Sequence, residues 1–187
     1  MMQGYRELTG QPCSGKTVYK NNKENYNIAN TGIVKFILLK KIFSFFIGVI
    51  YLKFKRSKKL FLWSFNENAP FYFQTKIFFN SVSKFGIKYK SNNDLEFIVD
   101  EGISHLPFLF LNTDTNLIIE FIRDELKDIE VVYKMAPEKE EVIKRLKNRG
   151  HKRLKFISPE IFYELNSDVE NSVLESYKEI CKKFETI

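Results

Sequence analysis

The sequence predicts an α/β fold of three layers, in which helices flank a parallel sheet. Short apolar segments typical of strands alternate with helical patterns along the chain. One such segment, residues 95–99, is apolar and partly β-branched and runs directly into Asp100, Glu101 and Gly102, as expected of a buried parallel strand that ends at a site. The length of 187 residues suits a single domain, residues 1–187.

Glycines and prolines mark the limits of the other predicted elements. A first strand at residues 3–9 is followed by two apolar helices at residues 34–55 and 71–85, the second lying between Pro70 and Gly86. The remaining predicted elements are a helix at residues 116–127, a strand at residues 129–135, a charged helix that Pro137 opens and Gly150 closes, and a helix at residues 168–184.

Composition excludes a disordered or fibrous protein and restricts the partners. Thirty basic residues against 23 acidic ones give a formal charge of +7, which is mild for a nucleic-acid binder but compatible with a phosphate-bearing ligand or an anionic surface. No nucleic-acid partner is therefore expected. Cys13 and Cys181 cannot form a disulfide framework and indicate reduced thiols of a cytoplasmic protein.

The amino-terminal and most apolar segments predict no secretion and no membrane span. Residues 1–9 are polar and lack the features of a signal peptide. Residues 42–52 provide about half of the ~20 apolar residues that a spanning helix needs. We expect a buried helix there, with an interfacial anchor as the alternative.

Residues 10–17, GQPCSGKT, fit the pattern G-x-x-x-x-G-K-[ST] of the Walker A motif without deviation. Glycines let backbone N–H groups curl around phosphate oxygens, and a following helix offers its positive end to the same anion. Lys16 is expected to reach the β- and γ-phosphates and Thr17 to contact Mg²⁺. The alternative is a chance match in a glycine turn. The predicted nucleotide contacts in this motif are Gly10, Pro12, Cys13, Ser14, Gly15, Lys16 and Thr17.

Three segments resemble P-loop kinases, in particular the nucleoside- and nucleotide-kinase branch that includes thymidylate kinase. They are ELTGQPCSGKT at residues 7–17, FIVDEG at residues 97–102 and VVYKMAPEKEEVIKRLKNRG at residues 131–150. The third looks like the strand, proline-started helix and arginine-bearing lid of such kinases. The resemblance implies a P-loop NTPase fold with a helical acceptor region at about residues 33–92 and a short lid at about residues 145–155.

Asp100 is, by this resemblance, the candidate that holds Mg²⁺ through water or takes the proton from the acceptor hydroxyl, and Glu101 is the second candidate. A carboxylate after a parallel strand lies at the carboxyl edge of the sheet, where open α/β folds bind ligands. The alternative is a carboxylate that caps a helix or pairs with a lysine. Thymidylate kinases usually have Arg after this Asp, whereas this chain has Glu101. The difference argues against thymidylate as the acceptor. His105 either lines the acceptor pocket or is a hydrogen-bonded structural histidine.

Three of the six arginines, Arg145, Arg149 and Arg153, lie within nine residues. Residues four apart on a helix share a face, and guanidinium groups suit phosphate because they stay charged and donate in a fork. The resemblance implies that Arg145 and Arg149 act in phosphoryl transfer, and that Arg149 and Arg153 close over the nucleotide and exclude water. The alternative is a solvated helix face in which glutamates 140 and 141 pair with residues four positions later.

The segment between Glu24 and Glu67 contains no acidic residue. These basic residues either form part of a pocket for an anionic acceptor, dock the aromatic helices on anionic lipid, or form a solvated rim around buried helices. The eight basic residues are Lys35, Lys40, Lys41, Lys53, Lys55, Arg56, Lys58 and Lys59.

The resemblance also implies a strand after the last helix. Because only Glu185, Thr186 and Ile187 follow residues 168–184, we expect a sheet that is one strand short or a truncated chain, with Thr186 and Ile187 as the first residues of that strand.

Together the motifs predict a kinase that moves the γ-phosphate of Mg-ATP to a small acceptor, namely a nucleoside, a nucleotide or a similar metabolite. The predicted cofactors are ATP and Mg²⁺. The alternative is a non-catalytic nucleotide-binding protein that associates with a membrane surface through its basic aromatic segment.

Overall fold

The computed structural model describes residues 5–16, 34–91 and 98–187. Its strands are β1 (Arg6–Thr9), β2 (Ile98–Asp100), β3 (Glu130–Tyr133) and β4 (Lys183–Thr186). Its α-helices are α1 (Val34–Phe65), α2 (Phe71–Ser91), α3 (Thr115–Leu126), α4 (Lys139–Arg149) and α5 (Pro159–Ile180), and two 3₁₀ helices cover Ile103–Phe108 and Lys152–Lys155. The predicted α/β class is confirmed as a four-stranded parallel sheet flanked by helices.

The sheet has the strand order β2-β1-β3-β4. The chain after β1 leads to β2 on one side, whereas the chain after β3 leads to β4 on the other. The crevice between the carboxyl ends of β1 and β3 is therefore a topological switch point, the place where open α/β sheets bind ligands. Residues 10–16 begin at this crevice.

β4 corrects the expectation of a sheet that is one strand short. Residues Lys183–Thr186 pair in parallel with β3, and Phe184 lies opposite Val131. The ring of Phe184 contacts the rings of Tyr133 and Tyr177. Only Lys183 and Phe184 of this strand lie within the predicted last helix, and the segment has the pattern of a polar edge strand with one apolar anchor. α5 instead begins at Pro159, nine residues before the predicted start, and ends at Ile180, four residues before the predicted end.

The boundaries of the two apolar helices also differ from the prediction. α1 continues to Phe65, with a break in helical geometry at Lys53 (φ 57°, ψ 172°), and α2 continues past Gly86 to Ser91. Gly86 does not end the helix, because its role is close packing. A Cβ atom at Gly86 would lie 1.8 Å from the Ser44 carbonyl oxygen, so only glycine allows the two helices to approach this closely.

Two apolar clusters hold the elements together. The larger one joins α1 and α2 to α3 and the sheet, for example through the Phe45–Phe79 stack at 4.0 Å and the contact of Trp63 with Phe121. The smaller one consists of Cys13, Val142, Leu146 and Phe162. The smaller cluster fixes the 10–16 segment against α5 and against α4, the helix in which the predicted lid begins.

The expectation that residues 42–52 form a buried helix is only half correct. Ser44, Gly48 and Leu52 face inward, whereas Phe46 and Ile50 are 60% and 77% exposed. No helix within the described residues has the length and apolar character needed to cross a membrane.

Candidate functional site

The site is built on the segment of residues 10–16, here called the 10–16 loop, which leaves the carboxyl end of β1. Its backbone has positive φ at Gly10 (141°), Cys13 (66°) and Gly15 (96°), and it is helical at Lys16. A Cβ atom at Gly10 would lie 2.4 Å from the carbonyl oxygen of Lys134. Glycine is therefore required at the first motif position, where the loop passes the end of β3.

Glu170 of α5 ties the loop to the sheet. Gln11 donates a hydrogen bond to the Glu170 carboxylate at 2.6 Å, and the hydroxyl of Tyr133 donates to the other oxygen of the same carboxylate at 2.9 Å. All three side chains are buried. The base of the loop is thus held by a charge-assisted network rather than by apolar packing alone.

Lys16 lies across the loop. Its ammonium donates to the carbonyl oxygens of Gly10 (2.9 Å) and Gln11 (3.0 Å), and only 7% of the residue is exposed. The hydroxyl of Ser14 is buried and has no hydrogen-bond partner among the described residues. Burial raises the pKa of the Cys13 thiol, although the charges of Arg149, Lys16 and Arg145 act in the opposite direction. The loop therefore offers a cation and an unsatisfied hydroxyl, but not a reactive thiolate.

Of the two predicted carboxylates, Asp100 is the last residue of β2 and Glu101 follows it, and they lie in different surroundings. Asp100 is exposed at the end of the strand. Glu101 has φ 57°, and its carboxylate lies 3.4 Å from the Lys16 ammonium and 3.7 Å from Nε2 of His105. Of the two carboxylates, Glu101 is thus the one in contact with the loop lysine. Glu101 thus makes a pair with a lysine, the kind of contact that was the alternative expectation for Asp100.

The charge state of Glu101 follows from its neighbours. The pKa of its carboxyl is lowered to about 2 by the imidazole of His105 and by the ammonium groups of Lys16 and Lys84. Burial in turn lowers the pKa of His105 to about 3, so the imidazole is neutral near pH 7. At neutral pH the two lysines are therefore the cations that keep Glu101 ionised.

Glu7 supports the turn that carries both carboxylates, and sequence reasoning missed it. Its fully buried carboxylate accepts the backbone N–H groups of Ile103 (2.8 Å) and Ser104 (2.7 Å). A Cβ atom at Gly102 would lie 2.1 Å from the Glu7 carboxylate. The available signal was an acidic residue inside a predicted strand, three positions before the motif, because a buried charge needs partners.

His105 is buried, contacts neighbouring side chains and also lines a cavity. Its Nδ1 atom lies 3.4 Å from the hydroxyl of Thr9, and 3% of the residue is exposed. Its ring stacks on Phe108 at 5.3 Å. His105 thus has the contacts expected of a structural histidine and lines a cavity, and its place in an acceptor pocket stays a prediction.

Arg145 reaches the 10–16 loop from α4. Its Nη1 atom donates to the Cys13 carbonyl oxygen at 3.3 Å and lies 3.5 Å from where a Cβ of Gly15 would be. Its Nε atom also pairs with Glu141 four residues earlier, at 2.8 Å. The pair expected for a solvated helix face is present, and the same guanidinium contacts the loop. Arg149 is exposed, and its charge acts on the Cys13 thiol.

Arg153 lies in a different environment from the other two arginines. It is 8% exposed, donates to the carbonyl oxygen of Leu109, and lies 3.5 Å from the Glu67 carboxylate. Two of its guanidinium nitrogens are therefore engaged with the protein. Its predicted contact with nucleotide stays a prediction.

A cavity of about 420 Å³ opens beside the loop, between α2 and the segment that follows α4. α2 contributes Phe73, Lys76, Ile77 and Asn80, which share one helix face, and Pro12 and Glu101 form the end nearest the loop. The basic residues in its wall are Lys76, Arg149, Lys152 and Arg153. The volume is in the usual range for small-molecule sites.

The positive charges of this cavity act on one another. The pKa of Lys76 is lowered by burial and by the nearby ammonium groups of Lys152 and Lys41. Charges that repel each other in the free protein are stabilised by an anionic ligand placed between them. Among the described residues that line the cavity, Glu101 is the one acidic residue.

The predicted metal ligands are only partly within the described chain. Thr17 lies outside the described residues, and Asp100 and Glu101 are adjacent at the mouth of the loop. Within the described residues, no group of three His, Cys, Asp or Glu side chains could hold a metal ion. Proteins usually bind Mg²⁺ through one or two carboxylates, while phosphate oxygens of the ligand and water complete its coordination shell. The residues at this site therefore fit a cation that arrives with phosphate.

Comparisons of the chain with protein-family models, with curated proteins and with solved structures gave no match.

Proposed function

We propose that the protein binds Mg-ATP at the 10–16 loop and transfers its γ-phosphate to a small acceptor in the adjoining cavity. The observation that carries this proposal is the convergence of Lys16, Glu101 and Arg145 on one loop at the carboxyl end of β1. A lysine, a carboxylate and an arginine around a glycine-bearing loop are the groups that phosphoryl transfer requires.

Two groups of the loop support phosphate binding. Among the described residues, the buried ammonium of Lys16 donates to two loop carbonyls and pairs with Glu101, and the Ser14 hydroxyl has no partner. A phosphate oxygen would accept from both groups. Because hydrogen bonds from a cation to an anion are stronger than those to a carbonyl, the lysine gains from the exchange.

The two carboxylates suit different tasks. A carboxyl with a pKa of about 2, as at Glu101, is a weak base near neutral pH but a good ligand for a cation. We assign Glu101 to the metal and Asp100 to the acceptor hydroxyl or to a metal-bound water. Mg²⁺, when bound with ATP, would neutralise charge on the phosphates, and Arg145 and Arg149 would offset the charge of the moving group.

The cavity favours an acceptor that is anionic and contains a ring. Lys76, Lys152 and Arg149 would face its negative charge, and Phe73, Phe108 and Phe162 provide flat apolar walls. A nucleotide fits these walls better than a neutral nucleoside, because a neutral acceptor leaves the repulsion between Lys76 and Lys152 uncompensated.

The test follows ATP binding and phosphate transfer in the same preparation. Titration calorimetry with Mg-ATP is combined with transfer assays against nucleosides, nucleoside monophosphates and sugar phosphates. We expect binding and transfer with wild type, loss of binding with Lys16→Ala, and binding without transfer with Asp100→Asn. Lys127→Ala is the control, since this exposed lysine pairs only with Asp124 on α3.

Two results would overturn the proposal at different levels. If wild type does not bind ATP, the assignment of phosphate binding to the 10–16 loop is wrong. If wild type binds ATP but transfers phosphate to no acceptor, the transferase assignment is wrong and the protein is a nucleotide-binding protein.

A further inference from the structure

α1 presents an apolar face to solvent. Phe43, Phe46 and Ile50 are 57%, 60% and 77% exposed, and their spacing of three and four residues places them on one side of the helix. Phe54 follows at 83% exposed. Scattered exposed apolar residues are ordinary on protein surfaces, but a row of large side chains on one helix face marks an interaction surface.

Ring contacts extend this face to the start of α2. Phe46 contacts Phe45, whose ring meets Phe78, and Phe78 contacts Phe61. Phe61 in turn stacks on Phe65, which meets the 72% exposed Phe71. These contacts pass through the half-buried rings of Phe45 and Phe78, which pack on the core, and we call the exposed apolar side chains of α1 and the start of α2 the aromatic face.

α1 is broken next to the most exposed side chains of the aromatic face. Lys53 has φ 57°, a conformation that is strained for a residue with a side chain. Ile50 and Phe54, the two most exposed large apolar side chains of the described residues, lie on either side of it. The backbone is thus strained at the position where the apolar side chains project furthest.

The charged residues of α1 itself are all positive. Lys53, Lys55 and Lys58 are exposed, and none of them forms an ion pair with another described residue. Arg56 differs, because it pairs with Glu125 of α3 at 2.6 Å. Between Glu24 and Glu67 the sequence contains no acidic residue.

We propose that the aromatic face docks on a membrane surface that carries anionic lipid. Phenylalanine and aliphatic side chains on one side, with lysines beside them, are the composition with which a helix lies in the interface of a bilayer. The lysines would face lipid phosphate groups, and the exposed rings would enter the acyl boundary. A second copy fits less well, since a symmetric dimer through this face would bring two sets of lysines together.

The test measures binding of the full chain to lipid vesicles by sedimentation. Phosphatidylcholine vesicles with roughly 30% phosphatidylserine are compared with pure phosphatidylcholine vesicles, and we expect about tenfold tighter binding to the anionic ones. Salt at about 1 M should remove most of this difference, because it screens the lysines.

Two sets of variants separate the apolar and charged contributions. The triple variant Phe46→Ser, Ile50→Ser, Phe54→Ser should lose binding to both kinds of vesicle, whereas Lys53→Gln, Lys55→Gln, Lys58→Gln should lose only the anionic preference. Leu117→Ser with Ile161→Ser is the matched control, because these side chains are 53% and 52% exposed on other helices. Circular dichroism melts check that each variant is folded.

Wild type that binds neither vesicle, or binds both equally, overturns the proposal. Sedimentation velocity that shows a dimer abolished by the triple serine variant overturns it in favour of self-association. The inference does not rest on the proposed kinase activity, and Lys16→Ala should bind vesicles as wild type does.

Discussion

The carboxylate of Glu101 lies 3.4 Å from the ammonium of Lys16, at the mouth of the 10–16 loop. A positive φ of 57° at Glu101 turns the side chain toward the loop after β2 has ended. The lysine is therefore held by one carboxylate and two carbonyls in the free protein. A bound triphosphate would compete with Glu101 for this lysine unless a cation lay between the two anions.

Replacement of Glu101 by glutamine should change the metal dependence of nucleotide binding. The variant loses the negative charge that repels phosphate, so metal-free ATP should bind up to about tenfold more tightly. The advantage of Mg-ATP over ATP should shrink, because the carboxylate that we assign to the cation is absent. Calorimetry with and without Mg²⁺ measures both effects. An unchanged ratio of the two affinities would refute the assignment, and Glu120→Gln on the exposed face of α3 is the control.

Replacement of Gly10 by alanine should disrupt the loop and destabilise the protein. Both the φ of 141° and the distance of 2.4 Å between an added Cβ and the Lys134 carbonyl oxygen oppose a side chain, and we expect a loss of about 2–4 kcal/mol in the free energy of unfolding. Gly150→Ala is a close comparison, because φ is 56° there but nothing lies within 4 Å of the added atom. It should cost only about 1 kcal/mol. Urea denaturation measures the free energy of unfolding of both variants. Equal losses in the two variants would contradict the argument that the close contact excludes a side chain at Gly10.

The motifs predicted the centre of the site better than its surroundings. Lys16 lies on the 10–16 loop because its place in GQPCSGKT, a turn between strand and helix, is a local property. The contact of Arg145 with this loop joins residues 132 positions apart, and in the sequence only the resemblance to P-loop kinases pointed to it. The same resemblance placed Asp100 before Glu101, whereas the direction of the Glu101 side chain depends on its positive φ, and the turn that follows it is held by the distant Glu7 carboxylate.

The misassigned boundaries have the same origin. Gly86 resembles a helix end in sequence, yet it lies inside α2 because Ser44 of α1 packs against it. β4 has a polar pattern with one apolar anchor, and only pairing with β3 makes it a strand. In each case a contact between distant parts of the chain overrides local preference.

Replacement of Lys76 by glutamine should weaken binding of an anionic acceptor. Because Lys76 and Lys152 share the cavity wall, loss of one ammonium should raise KM for a nucleoside monophosphate by about tenfold, with a smaller change in kcat. Lys155→Gln is the control, since this lysine is exposed on the same segment but outside the cavity. Steady-state kinetics measures both constants. Equal KM values for wild type and Lys76→Gln would place the acceptor elsewhere.

Lys84 of α2 should make stability depend on pH in the alkaline range. The residue is 5% exposed, and burial lowers its pKa from 10.5 to about 8, against the opposing charges of Glu101, Glu7 and Asp100. Since its pKa is lower in the folded than in the unfolded state, the unfolded chain holds more protons between about pH 8 and 10.5. The cost of burying the charge is therefore fully present below pH 8 and is lost as the pH rises through this window.

Lys84→Met removes that cost at neutral pH. We expect the variant to exceed wild type in free energy of unfolding by up to roughly 3 kcal/mol at pH 7, and the difference should shrink steadily as the pH rises from about 8 to 10.5. Urea denaturation at a series of pH values measures it, with the exposed Lys127→Met as a control whose difference from wild type stays constant over the same range. Because the apolar contribution of methionine does not titrate, a difference for Lys84→Met that is equally constant would show that Lys84 keeps an ordinary pKa in the folded protein.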